Sequence, residues 1–135
     1  LEKNGIIHHI ELYVSDLYTS RRFWEVLLID HLGYKKYQQW ERGISYSKGN
    51  SPYIVFVQAA KEKLLPAYNR TRVGLNHLAF SISDKKKLAQ IRSELNSLGY
   101  KELYPEKYPH AGGKKHYALY FEDPDRIKVE VVLEN

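Results

Sequence analysis

The sequence predicts an α+β fold made of two copies of one strand-helix-strand unit, with helices covering one face of a mixed sheet. Three observations carry this: a short word that recurs 68 residues further on, an amphipathic stretch after each copy, and alternating apolar residues downstream of each amphipathic stretch.

The word is His9-Ile10-Glu11-Leu12-Tyr13-Val14-Ser15-Asp16, matched by His77-Leu78-Ala79-Phe80-Ser81-Ile82-Ser83-Asp84. Alternation of this kind marks a half-buried strand, with Ile10, Leu12 and Val14 on one face and Leu78, Phe80 and Ile82 on the matching face of the copy. Each Ser-Asp supplies a side-chain oxygen for the unpaired N–H groups of a helix start. Helical spacing follows at once, through Phe23, Trp24, Leu27 and Leu28 in the first copy and Leu88, Ile91, Leu95 and Leu98 in the second. Both helices end on the same residues, Leu32-Gly33-Tyr34-Lys35 and Leu98-Gly99-Tyr100-Lys101, where glycine permits the left-handed terminal turn. Strands are expected near 44–47, 53–58, 117–121 and 127–133. Aligning Tyr46 with Tyr120 and Phe56 with Glu130 gives an offset of 74, against 66 at the helix ends, so the second half carries an insertion at 104–116.

A length of 135 residues suits one domain, 1–135, with modules at approximately 5–60 and 73–134. With 43% hydrophobic and 27% charged residues the balance is that of a globular chain, and no apolar run approaches the roughly 20 residues that span a bilayer. Leu1 to His8 lack a basic segment followed by a long apolar one, so no secretory leader is read there, and a cytoplasmic location with no membrane partner is expected. The absence of cysteine removes disulfides, thiolate metal sites and cysteine nucleophiles together. A net charge of +5 raises the question of nucleic acid, but the lysines are dispersed and the longest basic run, Lys85 to Lys87, opens a helix as a solvated face. Nucleic acid is not expected.

Strand parity places His77, Ala79 and Ser81 opposite the helix-facing residues, and likewise His9, Glu11 and Tyr13 in the first copy. In the last strand Ile127, Val129 and Val131 form the apolar set, which turns Glu130 to that same polar face. A carboxylate in the middle of a valine-rich strand is costly unless it is paired or bound to a cation. Two imidazoles and one carboxylate suit a divalent ion such as Zn, Ni, Mn or Fe and leave coordination positions for substrate. His9, His77 and Glu130 are therefore the expected metal ligands, while His8, His31, His110 and His116 are read as ordinary polar residues.

These residues, with Leu17, Phe23-Trp24, Gly74-Leu75-Asn76 before His77 and Tyr120-Phe121-Glu122-Asp123-Pro124-Asp125-Arg126 before Glu130, resemble the vicinal oxygen chelate superfamily of glyoxalases, bleomycin resistance proteins and extradiol dioxygenases. The resemblance implies two βαβββ modules forming a cleft or open barrel, with metal ligands from the first and last strands of the modules. On that mapping His9, His77 and Glu130 match ligand positions, and the remaining one falls on Phe56, or on Gln58 if the register slips by two. Neither supplies a carboxylate, which favours three protein ligands.

The resemblance further implies a metal-dependent lyase or isomerase acting on a small substrate that chelates the metal through two oxygens. Glu130 and Glu11 are the candidate catalytic groups, Glu11 as a base because it shares the strand face of His9, two residues along. The alternatives are an Fe(II) oxygenase and a non-enzymatic antibiotic-binding protein. Tyr13, Phe56, Gln58, Tyr117 and Tyr120 are candidate substrate-lining residues. The 104–116 insertion, with Ala111-Gly112-Gly113 ahead of Lys114, Lys115 and His116, reads as an exposed polar loop or as a lid whose cations meet an anionic substrate. Asp123-Pro124-Asp125 reads as a tight turn. A homodimer is expected from the architecture.

Overall fold

A computed structural model describes residues 4–134; the first three residues of the stretch read for a leader, and Asn135, lie outside it. The chain divides into two compact units, Leu1–Leu65 and Pro66–Asn135. The fold class is α+β. No helix among the described residues is long and apolar enough to cross a membrane.

The first unit runs β1 (His9–Val14), α1 (Leu17–Glu25), a π-helical continuation over Val26–His31, then β2 (Lys35–Trp40), β3 (Gly43–Ser47) and β4 (Tyr53–Gln58). Its sheet has the order β1-β4-β3-β2, with β1 and β4 parallel and the other pairs antiparallel. Asp16 caps α1 by accepting from the Thr19 N–H at 3.3 Å, which is the role read for the Ser-Asp word. Phe23, Trp24, Leu27 and Leu28 are fully buried, and burying each contributes on the order of 1.5–3 kcal/mol. The Trp24 ring lies 4.9 Å from that of Phe56, which joins helix to sheet. Gln58 completes the join: its side-chain carbonyl accepts from the Leu17 N–H and its amide donates to the Ser15 carbonyl, both at 2.8 Å.

The second unit repeats this plan in shorter form: β5 (His77–Ile82), α2 (Lys85–Ser97), β6 (Ala118–Glu122) and β7 (Lys128–Leu133). The sheet order is β5-β7-β6, with β5 parallel and β6 antiparallel to β7. Asp84 caps α2 from Oδ1 to the Lys86 and Lys87 N–H groups at 2.8 and 3.4 Å, and Leu88, Ile91 and Leu95 are buried beneath it. Where the first unit has β2, the second has a single bridge between Glu102 and Phe121. Arg92 grips the Glu102 carboxylate at 3.0 and 2.8 Å, and Pro105, which has no N–H to donate, follows closely.

Register corrects one equivalence expected from the sequence. Ala79 pairs with Glu130 across β5 and β7, and its counterpart Glu11 pairs with Val55 across β1 and β4. Likewise Tyr120 pairs with Glu130 while Ser45, not Tyr46, pairs with Val55. Val55 therefore stands where the repeat has Glu130, and Phe56 is one residue out of phase. A one-residue slip reverses the face, which is why Phe56 is only 1% exposed, packed between Trp24 and Tyr46 in the core. Phe56 and Gln58 are thus committed to the helix side and leave the set of substrate-lining candidates.

Candidate functional site

The polar face of the second sheet brings together His77, Glu130, Tyr120 and Lys128. Glu130 lies in the central strand and is 4% exposed, a carboxylate withdrawn from water that must be compensated. Three groups approach it. His77 Nε2 stands 3.3 Å from Oε1, His116 Nε2 stands 2.5 Å from Oε2, and the Tyr120 phenol lies close enough to feel its charge.

The orientation of His77 is set by its neighbours. Asn76 donates from Nδ2 to the Arg70 carbonyl at 3.0 Å, which turns its Oδ1 to His77. The Nδ1–H of His77 donates to that oxygen at 2.9 Å. In the neutral imidazole the other nitrogen then carries a lone pair, and that lone pair faces a carboxylate oxygen that can only accept. Two acceptors at 3.3 Å repel unless a cation lies between them, either a second proton on the ring or a metal ion. The donor types, imidazole nitrogen and carboxylate oxygen, are those that a divalent metal ion takes. Among the described residues, however, no three His, Cys, Asp or Glu side chains are grouped so as to hold a metal, and His77 and His116 address different oxygens of Glu130.

Around this pair the polar face is closed by aromatic and cationic groups. Tyr120 is buried, and its phenol is pushed up to about 12, first by burial and then by the charge of Glu130. Lys128 Nζ lies 5.6 and 5.5 Å from the ring centres of Tyr104 and Tyr120. Ala111 and Val132 pack against the buried cluster of Leu103, Ala118 and Tyr120. The 104–116 segment is therefore anchored on the sheet through Ala111 and His116, while Lys114 and Lys115 are exposed. Tyr117 packs edge-on to Tyr108 and His110, with Lys85 Nζ 5.0 Å from its ring centre.

In the first unit His9 is exposed at the start of β1, stacked on Tyr53 at 4.7 Å, and its Nδ1 lies 2.8 Å from Nδ1 of His8. Glu11 is exposed and Tyr13 is 64% exposed, on the same strand face as His9. Asp123 is fixed as a turn residue, its Oδ1 accepting from the N–H groups of Asp125 and Ile127 at 2.9 and 2.8 Å.

His116 was missed by sequence reasoning because it lies in an irregular segment with no periodicity to assign it a face. The available signal was its position: it lies four residues before Tyr120, whose strand partner is Glu130.

Comparison with known proteins agrees with the repeat. The sequence pattern of the Glyoxalase/Bleomycin resistance protein/Dioxygenase superfamily matches residues 8–120. The chain is 55% identical over 126 residues to the uncharacterized protein YqjT of Bacillus subtilis strain 168, covering 93% of this chain and 97% of that one. A crystal structure from Bacillus halodurans, described as that of a candidate glyoxalase, superposes with a TM-score of 0.92 at 44% identity over 97% of each chain. The lactoylglutathione lyase of Agrobacterium tumefaciens shares the fold, with a TM-score of 0.63 at 19% identity over 98% of this chain and 96% of that one. The chain belongs to the glyoxalase, bleomycin resistance protein and dioxygenase superfamily.

Proposed function

We propose that the protein is a metal-dependent, glyoxalase-like enzyme of lyase or isomerase type, acting on a small substrate that chelates the metal through two oxygens. The observation that carries this reading is His77 Nε2 held 3.3 Å from the buried Glu130 carboxylate by the Arg70-Asn76-His77 chain. A strand carboxylate serving only architecture would be paired with a fixed cation, as Glu122 is with Arg70. His77 and Glu130 are assigned as metal ligands, and His9 as the third on the strength of the repeat, since it opens β1 as His77 opens β5. A bound divalent ion supplies Lewis-acid polarisation of the substrate oxygens.

The chain's own residues supply the rest. Glu11, exposed on the His9 face of β1, is the candidate base for the proton next to the polarised group. Tyr120 stays protonated throughout the neutral range and can donate a hydrogen bond where negative charge develops. Lys128 gives the face a cation, which suits a substrate carrying a negative group. Tyr13 and Tyr117 are assigned as further lining residues. Val55 offers no donor at the position matching Glu130, so the first unit contributes no carboxylate from β4. A homodimer is the working assembly.

The experiment is turnover of hemithioacetals, and of epoxides with an added thiol, by protein loaded separately with Zn, Ni, Mn and Fe(II). Isomerisation or thiol addition that is lost in His77→Ala and falls by roughly 100-fold in Glu11→Gln supports the reading. Oxygen uptake with catechols and iron alone would replace it with an oxygenase. Tight binding of an antibiotic by chelator-treated protein, with no turnover, would replace it with sequestration.

A further inference from the structure

We propose that Lys128 anchors a carboxylate of the substrate, its ammonium presented against the rings of Tyr104 and Tyr120. This rests on the polar face of the second sheet receiving the substrate, as read above, and needs no metal ion. The substrate class that follows is a small organic acid with one negative charge on an apolar body.

Strand register offers Lys128 two carboxylates, and both are committed elsewhere. Across the antiparallel pair of β6 and β7 it stands opposite Glu122, which is 7% exposed and held by Arg70 at 2.5 Å and by Arg126 at 3.3 Å. Two residues along β7, on the same face, Glu130 has His116 at 2.5 Å and His77 at 3.3 Å. Among the described residues no carboxylate lies within ion-pair distance of the Lys128 ammonium. Lys128 is half-buried on the central strand, so this charge has lost part of its water without gaining an opposite charge. The phenol faces compensate in part: Nζ lies 5.6 and 5.5 Å from the ring centres of Tyr104 and Tyr120, which are themselves 5.5 Å apart. An anion completes the arrangement.

Tyr104 provides the second, independent observation. Its backbone is left-handed, at φ 54° and ψ 44°, a conformation that costs a residue with a side chain and persists where the surroundings over-determine it. The surroundings do so here: the Leu103 N–H donates to the Tyr120 carbonyl at 2.9 Å, and the Lys107 N–H donates to the Tyr104 carbonyl at 3.0 Å. The strained residue thereby sets its ring edge-on to Tyr120 and beside Lys128, and at 39% exposed that ring can take the apolar body of a ligand. One ammonium against two phenol faces matches a single negative charge. A phosphate dianion calls for several donors, such as an arginine fork or a row of backbone N–H groups, and the buried Glu130 on the same face repels a second charge. The group that fits is therefore one carboxylate.

The test is an NMR chemical-shift titration of the full chain, treated with chelator, with phenylacetate and with its uncharged analogue phenylacetamide. The acid is expected to bind about 10- to 100-fold more tightly than the amide, the effect of one hydrogen bond to a charged group, with the largest shifts at Tyr104, Tyr120 and Lys128. Lys128→Gln, which keeps a polar head on a stem of similar length, erases that preference, and Lys128→Arg keeps most of it. Tyr104→Gly removes the ring and relieves the left-handed backbone, so it weakens phenylacetate binding several-fold without lowering the melting temperature, a combination that a merely structural tyrosine would not give. No preference for the acid over the amide in the wild type, shifts confined to other residues, or an undiminished preference in folded Lys128→Gln overturns the inference. Tighter binding of phenyl phosphate than of phenylacetate overturns the single-charge class. The metal reading stands or falls separately, on the metal content of the His77 and Glu130 variants.

Discussion

Phe56→Ala tests where the first unit's strand face turns. Phe56 is 1% exposed, with ring centres of Trp24 and Tyr46 at 4.9 and 5.8 Å, so truncation leaves a cavity between helix and sheet and strips both rings of their aromatic neighbour. Core Phe-to-Ala changes cost about 3–5 kcal/mol, and with two aromatic pairings removed as well the expected value is about 4 kcal/mol. At a urea m-value of roughly 2 kcal/mol per molar this lowers the unfolding midpoint by about 2 M. Phe56→Leu, which refills most of the space, is expected to cost about 1 kcal/mol. The assay is urea unfolding followed by tryptophan fluorescence, since Trp24 reports on the site directly. A loss below about 1 kcal/mol for Phe56→Ala, accompanied by weakened substrate binding, would refute the register and return Phe56 to the polar face.

Three further outcomes are expected. Glu122 is buried and would by that alone titrate high, but the hydrogen bonds and charges of Arg70 and Arg126 hold its carboxyl below the ordinary 4.5. A lowered carboxylate pKa adds stability above the unfolded value and loses it as pH falls from about 4.5 through the folded value; Arg70→Ala should flatten that acid limb and cost roughly 3 kcal/mol at neutral pH, read by denaturation at about pH 3 to 7. Gly99 has φ +87° with nothing within 4 Å of a methyl group placed there, so Gly99→Ala isolates backbone strain and should cost about 1–2 kcal/mol, with an unchanged melting curve counting against the turn. Gln58→Leu removes the two hydrogen bonds that tie β4 to the start of α1 and should cost about 1–2 kcal/mol without altering metal content, whereas altered metal content would place Gln58 at the site.

Much of this fold and part of the site were legible because they depend on period and local chemistry. The Ser-Asp words specify both helix caps, Gly33 and Gly99 mark both left-handed turns at φ +78° and +87°, and alternation in β5 and β7 puts His77 and Glu130 on one face. The failures arise where spacing alone does not fix phase. Matching Tyr46 to Tyr120 aligned two similar residues from opposite faces, and the resulting slip exchanged Val55 for Phe56. Strand β2, exposed along its whole length, has no buried side to impose alternation. His116 reaches Glu130 through the turn at Gly112 and Gly113, a geometry set by loop hydrogen bonds that no periodicity encodes. The π-helical turn at Val26–His31 keeps Leu27 and Leu28 buried while departing from the simple helical spacing that announced them.

Metal content tests the assignment of His77 and Glu130 most directly. Protein purified without added metal or chelator should contain about one divalent ion per chain by inductively coupled plasma mass spectrometry, and folded His77→Ala and Glu130→Ala should each lose most of it. Equal metal retention in both variants, or none in the wild type, would contradict the assignment of the two residues as ligands.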